Sequence, residues 1–467
     1  MKITNIKKRE SKDLTELTVD NGLISNYQNL NDNVVFRARD GTVAWPGLIN
    51  GHIHSGNVIG YFKGFAKMED KSVYDWLETL FKEPFYNIKH EFYKLNLFEK
   101  YNYTPEDSAS LISNFMFSQG VTSGLLFDYR LKDHGTFKIG NTTSELPRLR
   151  IQDGGISVST FGDLINSPNL YERIEEIKQR KGIFQIHINE GSPNYYFDEI
   201  EKLFQLELLD EKTVLIHGLA TNQDEYRRIV ELGNKSPSVI VCQESNENIY
   251  LSTRIPTRLK EYIYSLHSPH ELKFIDENYL LKIIPPILRR SNFNHVDPIY
   301  LNTIGINTGL GTDSFLSNPN CSLINLACSC VTLNTPQDYI NRNYDLFEMI
   351  TTKNAKVMDL SESIGSLDVG KNGDIILFSD DLLKFHKKPY AVFSNGKLVT
   401  GEDCSEIRDF FSKNNIKIET HKNMIFPIES GYLKALEKIK LITDEYNYNI
   451  KNTNYSPLII PYNLSLD

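Results

Sequence analysis

Residues 46–54 read Pro-Gly-Leu-Ile-Asn-Gly-His-Ile-His. His52 and His54 are two apart. In a strand that spacing points both imidazoles to one face, and neutral imidazole nitrogens ligate zinc and similar divalent metals. A bare His-x-His pair is a weak motif, so the rest of a metal site has to come from elsewhere. Three further strand-like segments end in residues of ligand type: IFQIHI at 183–188 with His187, TVLIHG at 213–218 with His217, and NTGLGT at 307–312 followed by Asp313. Core packing alone does not place such side chains on four strand ends, because buried polar groups need a partner or a metal. Glu190 lies three residues past His187 and reaches the same edge. A carboxyl beside a metal-activated water suits proton transfer, although an isolated loop glutamate is ordinarily just solvated.

The elements that must hold these residues alternate. Short apolar strands are expected at 121–127, 183–188, 213–218, 238–242 and 307–312. Helical patterns lie at 69–82, 106–119, 170–181, 195–209, 222–233 and 321–333. Such alternation predicts an α/β fold, a parallel sheet with helices outside that closes naturally into a (β/α)8 TIM-like barrel over 46–359. Active sites of such barrels lie at the carboxyl ends of the strands. Residues 1–45 and 360–403 are instead β-rich with tight-turn signals such as Asn21-Gly22 and Asp40-Gly41. They predict one small β-sandwich domain built from both ends. Residues 404–467 read as a partly helical extension, with Leu433, Leu436, Ile439 and Leu441 as the apolar face of a helix over 430–446.

Bulk properties narrow the class. The chain has 467 residues, 40% of them hydrophobic and 24% charged, as in globular proteins. A formal net charge of −9 argues against nucleic acid or an anionic membrane as partner. No apolar stretch reaches the length of a membrane span, and the basic start lacks the apolar run of a secretory signal. Five cysteines at irregular spacing do not make a disulfide framework. Cys328 and Cys330 read as reduced core residues. A cytoplasmic compartment is expected.

Together these motifs resemble the amidohydrolase superfamily, and within it the cytosine deaminase, guanine deaminase and triazine chlorohydrolase group. PGLINGHIH resembles the first-strand metal motif, and HINE at 187–190 resembles the group's His-x-x-Glu. IHG around His217, ESN at 244–246 and LGTDS at 310–314 are similar to the signatures of strands six to eight. IGSLDVGKNGDIILF is similar to the family's C-terminal β segment, with Gly373 where the family usually has alanine. The likeness spans roughly residues 1–403. It implies that His52, His54, His187 and Asp313 hold one divalent metal, Zn²⁺ first and Fe²⁺ second. It also implies that His217 hydrogen-bonds the substrate or the attacking water. The fourth-strand candidate ISVST has no lysine, so the carboxylated lysine of two-metal relatives is absent. RLRIQDGG and ISVST leave little room for a helix between them, and the barrel is expected to be irregular around its third and fourth strands. The long stretch over 247–300 reads as a helical insertion.

The resemblance implies a metal-dependent hydrolase that attacks a C–N bond of a small heterocycle, with hydrolytic deamination as the first reading. Asp313 takes the proton of the metal-activated water, and Glu190 passes protons to the substrate nitrogen and the leaving amine. Hydrolysis of a cyclic amide, another C–N bond or a C–Cl bond is the alternative. An inactive scaffold is a third reading, disfavoured because every ligand is kept. Lys63, Trp76 and Asn246 are candidate substrate contacts. The expected partner is a small molecule, with no nucleic acid, no membrane, and room for a homodimer.

Overall fold

The structure is a computed structural model that describes residues 1–8, 14–25, 34–54, 61–62, 96–127, 155–191, 198–218, 221–249, 296–314, 318, 321–330, 345–378, 388–449 and 458–459. The chain opens with β1 (Lys2–Lys8), β2 (Leu14–Asp20), β3 (Leu23–Ser25), β4 (Val35–Arg37) and β5 (Val43–Pro46). It then enters the segment of parallel strands through β6 (Leu48–His54), which ends in the two histidines, followed by β7 (Tyr61–Phe62), β8 (Val121–Phe127), β9 (Ile156–Thr160), β10 (Phe184–Ile188), β11 (Thr213–His217), β12 (Ser238–Val241) and β13 (Thr308–Leu310).

The parallel strands follow the predicted segments closely. β9 to β13 form one sheet in the order β13-β12-β11-β10-β9, and β6 pairs with β8 in parallel. The bridge Ile53↔Asp313 joins the two groups. In space the described strands therefore run β8-β6-β13-β12-β11-β10-β9. The third-strand candidate at 148–154 and the helix expected at 69–82 lie outside the described residues. Helices alternate with the strands: α1 (Pro105–Ser118), α2 (Leu170–Lys178), α3 (Glu199–Gln205), α4 (Gln223–Glu231), α5 (Gln243–Ile249), α6 (Leu323–Ser329) and α7 (Thr352–Val357). Two are opened by reciprocal caps that satisfy otherwise orphaned backbone donors: Thr104 with Asp107 on α1 and Asn222 with Glu225 on α4.

After α7 the chain returns to the first sheet. β14 (Ile375–Phe378), β15 (Ala391–Ser394) and β16 (Lys397–Glu402) join β5 and β1, so the two ends of the chain build one ten-stranded sheet. The Asn21-Gly22 and Asn395-Gly396 turns carry positive φ at both residues, the conformation a two-residue hairpin demands. Period-two alternation explains how this sheet serves two cores. Ala44, Ile375, Leu377, Ala391, Phe393 and Ile425 face the small domain's own core, while Trp45, Ile376, Phe378, Val392 and Phe426 face the main core with the parallel strands. Gly373, the departure from the family pattern, has a steric reason. A Cβ there would lie 2.7 Å from Val19 Cγ1 and 2.9 Å from the Gly396 backbone nitrogen.

The boundary drawn at residue 403 does not mark the end of this sheet. Past α8 (Ser405–Lys413), the hairpin of β17 (Ile418–His421) and β18 (Met424–Pro427) continues it through β16. The last helix, α9 (Tyr432–Asn449), packs against α1. Its buried face is Tyr432, Ala435, Leu436, Ile439, Ile442, Thr443 and Tyr446. These residues recur every three or four positions, so they define the stripe, and Leu441 falls outside it at 48% exposed. That corrects the predicted face. The ion pair Lys438–Asp107, at 2.6 Å, ties α9 to the first turn of α1. Finally β19 (Leu458–Ile459) pairs antiparallel with β7, so the tail returns to the segment just after His54.

One consequence is a measurable pH response. Burial, reinforced by the Lys422 and Lys388 charges, pushes His421 on β17 down to about 4. Its ring stands edge-on to Tyr432. An unfolded chain protonates this histidine near 6.5 and the folded one does not, so the unfolded state binds more protons between those values and stability falls as pH drops through that window. His421→Phe is expected to remove about 1 kcal/mol of the stability lost between pH 7 and pH 5. Urea midpoints of the two proteins at both pH values check this. Parallel slopes would rule it out.

Candidate metal centre

The metal donors expected at three strand ends converge. His52 Nε2 lies 3.1 Å from His54 Nε2, and His54 Nε2 lies 3.3 Å from His187 Nε2. Asp313 Oδ1 is 3.4 Å from His52 Nε2 and 3.1 Å from His54 Nε2. All four ligand atoms fall within 4.8 Å of one another. Zinc–nitrogen bonds of about 2.0–2.1 Å in a tetrahedral site imply donor–donor edges of about 3.3–3.4 Å. The observed separations are of that size. Three imidazole nitrogens and a carboxylate gathered at these separations in a buried cleft are the donor types a divalent zinc site uses, so the residues fit a metal.

Electrostatics point the same way. Burial pushes His52 down to about 4, and burial together with the neighbouring histidines pushes His187 well down. Both rings are therefore neutral at neutral pH, the form that ligates. Burial opposes ionisation of Asp313, but hydrogen bonds from His52 and His54 outweigh it and hold the carboxyl well below its usual range.

Each ligand is aimed by a local feature. β9 slips register against β10, with Ile186 opposite Val158 and His187 opposite Thr160, which leaves Ser159 as a bulge. Its carbonyl accepts from His187 Nδ1 at 2.6 Å, which fixes the tautomer with Nε2 bare. Asp313 and His217 both have positive φ, 61° and 72°. Such backbone is rare for residues other than glycine and concentrates at functional sites. His217 Nδ1 is 2.7 Å from Asn246 Oδ1. Its Nε2 faces Glu190 Oε1 at 3.6 Å and Asp313 Oδ2 at 4.0 Å. Glu190 and His217 are both buried, beside the four donors rather than among them.

The β6–β13 seam holds His52 and His54 against Asp313, and side-chain amides stitch it. Asn50 Nδ2 donates to Thr312 Oγ1 at 2.7 Å, and its Oδ1 accepts from the Thr312 and His52 backbone nitrogens. Asn354 Nδ2, from α7, donates to the carbonyls of Ile49 and Leu310, each three residues before a ligand. Sequence reasoning missed both residues. Asn50 sat inside the PGLINGHIH motif, but nothing marked Asn354. Glycine permits the close approach: a Cβ on Gly311 would lie 2.7 Å from both the Cβ and the backbone nitrogen of His52. Gly311→Ala is expected to displace β6, weaken metal binding and cost about 1–3 kcal/mol of apo-protein stability. A metal titration and a urea melt check both effects.

Asn246, a candidate substrate contact, is fully buried and bonded to His217. Lys63 and Trp76 lie outside the described residues. Cys242, Cys321, Cys330 and Cys404 are free thiols, and the first three are buried. Among the described residues no helix is long and apolar enough to cross a membrane.

Three histidines and an aspartate gathered at the carboxyl edge of a parallel α/β sheet define the class, a metal-dependent α/β enzyme. The chain belongs to the Amidohydrolase family, whose profile matches residues 161–399, just over half of the chain. That span contains His187, Glu190, His217 and Asp313. His52 and His54 precede it and join the others only in the fold. A triazine hydrolase variant superposes with a TM-score of 0.60 at 11% identity, covering 94% of this chain and 98% of its own. A mutant atrazine chlorohydrolase from Arthrobacter aurescens TC1, solved with zinc and atraton, gives 0.57 at 12% identity over 89% and 99%. N-isopropylammelide isopropylaminohydrolase from Burkholderia multivorans ATCC 17616 gives 0.50 at 11% identity over 85% and 97%. At these identities the likeness is one of fold. No curated protein matches the chain in sequence.

Proposed function

We propose that this protein is a cytoplasmic, metal-dependent hydrolase that deaminates a small heterocycle. On this reading the parallel strands belong to a closed (β/α)8 barrel and the composite sheet to a β-sandwich domain. His52, His54, His187 and Asp313 would hold one divalent ion, Zn²⁺ first. When bound, such an ion makes water acidic enough to supply a hydroxyl nucleophile near neutral pH. The observation that carries the proposal is Glu190. Its carboxyl is buried, 3.6 Å from His217 Nε2, outside the set of His52, His54, His187 and Asp313, and close enough to His187 and His217 to form a second group of possible donors with them.

The residues divide the work. Asp313 accepts the proton of the attacking water on Oδ2, the oxygen turned away from His52 and His54. Glu190 delivers a proton to the ring nitrogen as the O–C bond forms, then takes the hydroxyl proton of the tetrahedral adduct and passes it to the exocyclic nitrogen. The C–N bond breaks as the carbonyl forms, ammonia leaves with that proton, and the proton held by Asp313 returns to Glu190. His217, held through Nδ1, presents Nε2 between the two carboxylates, where it orients the water or meets the developing oxygen.

Metal analysis of the purified protein and a screen of aminated heterocycles and cyclic amides for ammonia release test this. About one equivalent of metal and ammonia release are expected. Substoichiometric metal that cannot be restored would favour the scaffold reading instead. Triazine hydrolases and an isopropylaminohydrolase share the fold. That favours a second reading, displacement of chloride or an alkylamine, so chloride and alkylamine are assayed alongside ammonia.

A further inference from the structure

Ser245 lies in the first turn of α5, directly after β12, and is fully buried. Its Oγ donates to Asp313 Oδ2 at 2.5 Å, within the range of a charge-assisted hydroxyl–carboxylate bond. The two oxygens of Asp313 are thus in different environments. Oδ1 faces the imidazoles of His52 and His54, while Oδ2 faces Ser245 and, at 4.0 Å, His217 Nε2. The next residue, Asn246, holds His217 Nδ1, so one helical turn grips both groups that flank the reacting water.

Resting on the proposed metal hydrolase, we infer that Ser245 is a positioning residue that apportions the Asp313 carboxylate, keeping Oδ1 for the metal and Oδ2 for proton transfer. A carboxylate free to turn about its terminal torsion can offer both oxygens to a cation. It would then occupy the place the water needs and bury the base. A hydroxyl fixed to Oδ2 opposes that rotation. Asp313 has no freedom to compensate through its backbone, because its nitrogen donates to His52 O at 3.1 Å and its φ is left-handed.

Co²⁺ substitution reads coordination directly through its visible absorption. Wild type, Ser245→Ala, Ser245→Cys and Ser245→Thr are titrated with Co²⁺ as apo-proteins. The Ala variant is expected to bind one equivalent but with a weaker, shifted visible band, as the ion gains a second carboxylate oxygen. The Cys variant, which keeps the size of the side chain without a strong donor, should behave alike and serves if Ala does not fold. The Thr variant keeps the hydroxyl and should restore the wild-type spectrum. Ala and Cys spectra that superpose on wild type would overturn the role of Ser245 while leaving the metal site standing. A wild-type protein that takes up no Co²⁺ would overturn the metal reading beneath it.

Discussion

Asp313→Asn should reduce turnover by at least about 10³-fold, the range expected when a catalytic base is lost, while the protein still folds. Three arguments converge. The carboxylate is ionised in place, held by His52 and His54 on Oδ1 and by Ser245 on Oδ2. An amide has no charge for the metal and no basicity for the water. Its NH2 group would also replace either the oxygen that ligates the metal or the one that accepts from Ser245. The fold should survive because asparagine is the residue other than glycine that best tolerates a φ of 61°. Removing a buried charge also relieves the apo-protein of a desolvation cost. Steady-state rates, metal content and urea melts of the variant test all three. A wild-type rate would sink the mechanism, and an unfolded variant would show that Asp313 is needed for structure instead.

The metal centre was legible in the sequence because strand ends are. An apolar run that stops at a histidine or aspartate announces both a strand and what it presents, and five such residues met within one cleft. Glu190 was singled out only by the family resemblance, since spacing alone reads it as a solvated loop residue; the fold buries it in the same cleft. Other contributions left no local trace. Ser159 acts through a carbonyl freed by a register slip between two strands, which depends on pairing and not on its own identity. Asn354 reaches Ile49 and Leu310 across 305 and 44 positions of chain. Period reading also misjudged the α9 face, because Leu441 is apolar but lies off the stripe that Tyr432, Leu436, Ile439 and Tyr446 define. The join of β17 and β18 to the N-terminal sheet was hidden for the same reason. A hairpin's own residues do not say which edge it will extend.

The seam between β6 and β13 links these observations. Only one bridge, Ile53↔Asp313, joins the two groups of parallel strands among the described residues. Side-chain amides from Asn50 and Asn354 supply the remaining bonds. A regular ladder would place side chains by the pleat alone. Here an irregular seam lets a left-handed residue, Asp313, turn its carboxyl onto the histidines of the neighbouring strand, and glycine at 311 lets the strands approach closely enough for it to reach them.

Glu190→Gln should lower kcat by about 10² or more with KM changed little, because the proton it moves is needed only as bonds to nitrogen form and break. The substitution keeps the shape and buries no new charge, so metal content and melting behaviour should match wild type. Its position makes this a sharp test. Glu190 lies outside the set of His52, His54, His187 and Asp313 but could join His187 and His217 as a donor, so unchanged metal content separates its proton role from ligation, and it faces His217 Nε2 at 3.6 Å, inside the cleft. If Glu190 instead only holds substrate, the loss should appear in KM, and a substrate whose leaving group needs no proton should be affected as much as an amine. If it is the proton carrier, chloride displacement should lose less kcat than ammonia release, since it needs only the ring-nitrogen proton and chloride departs unprotonated. Measuring both leaving groups with one variant therefore separates proton transfer from binding, and a KM effect equal for both would assign Glu190 to recognition.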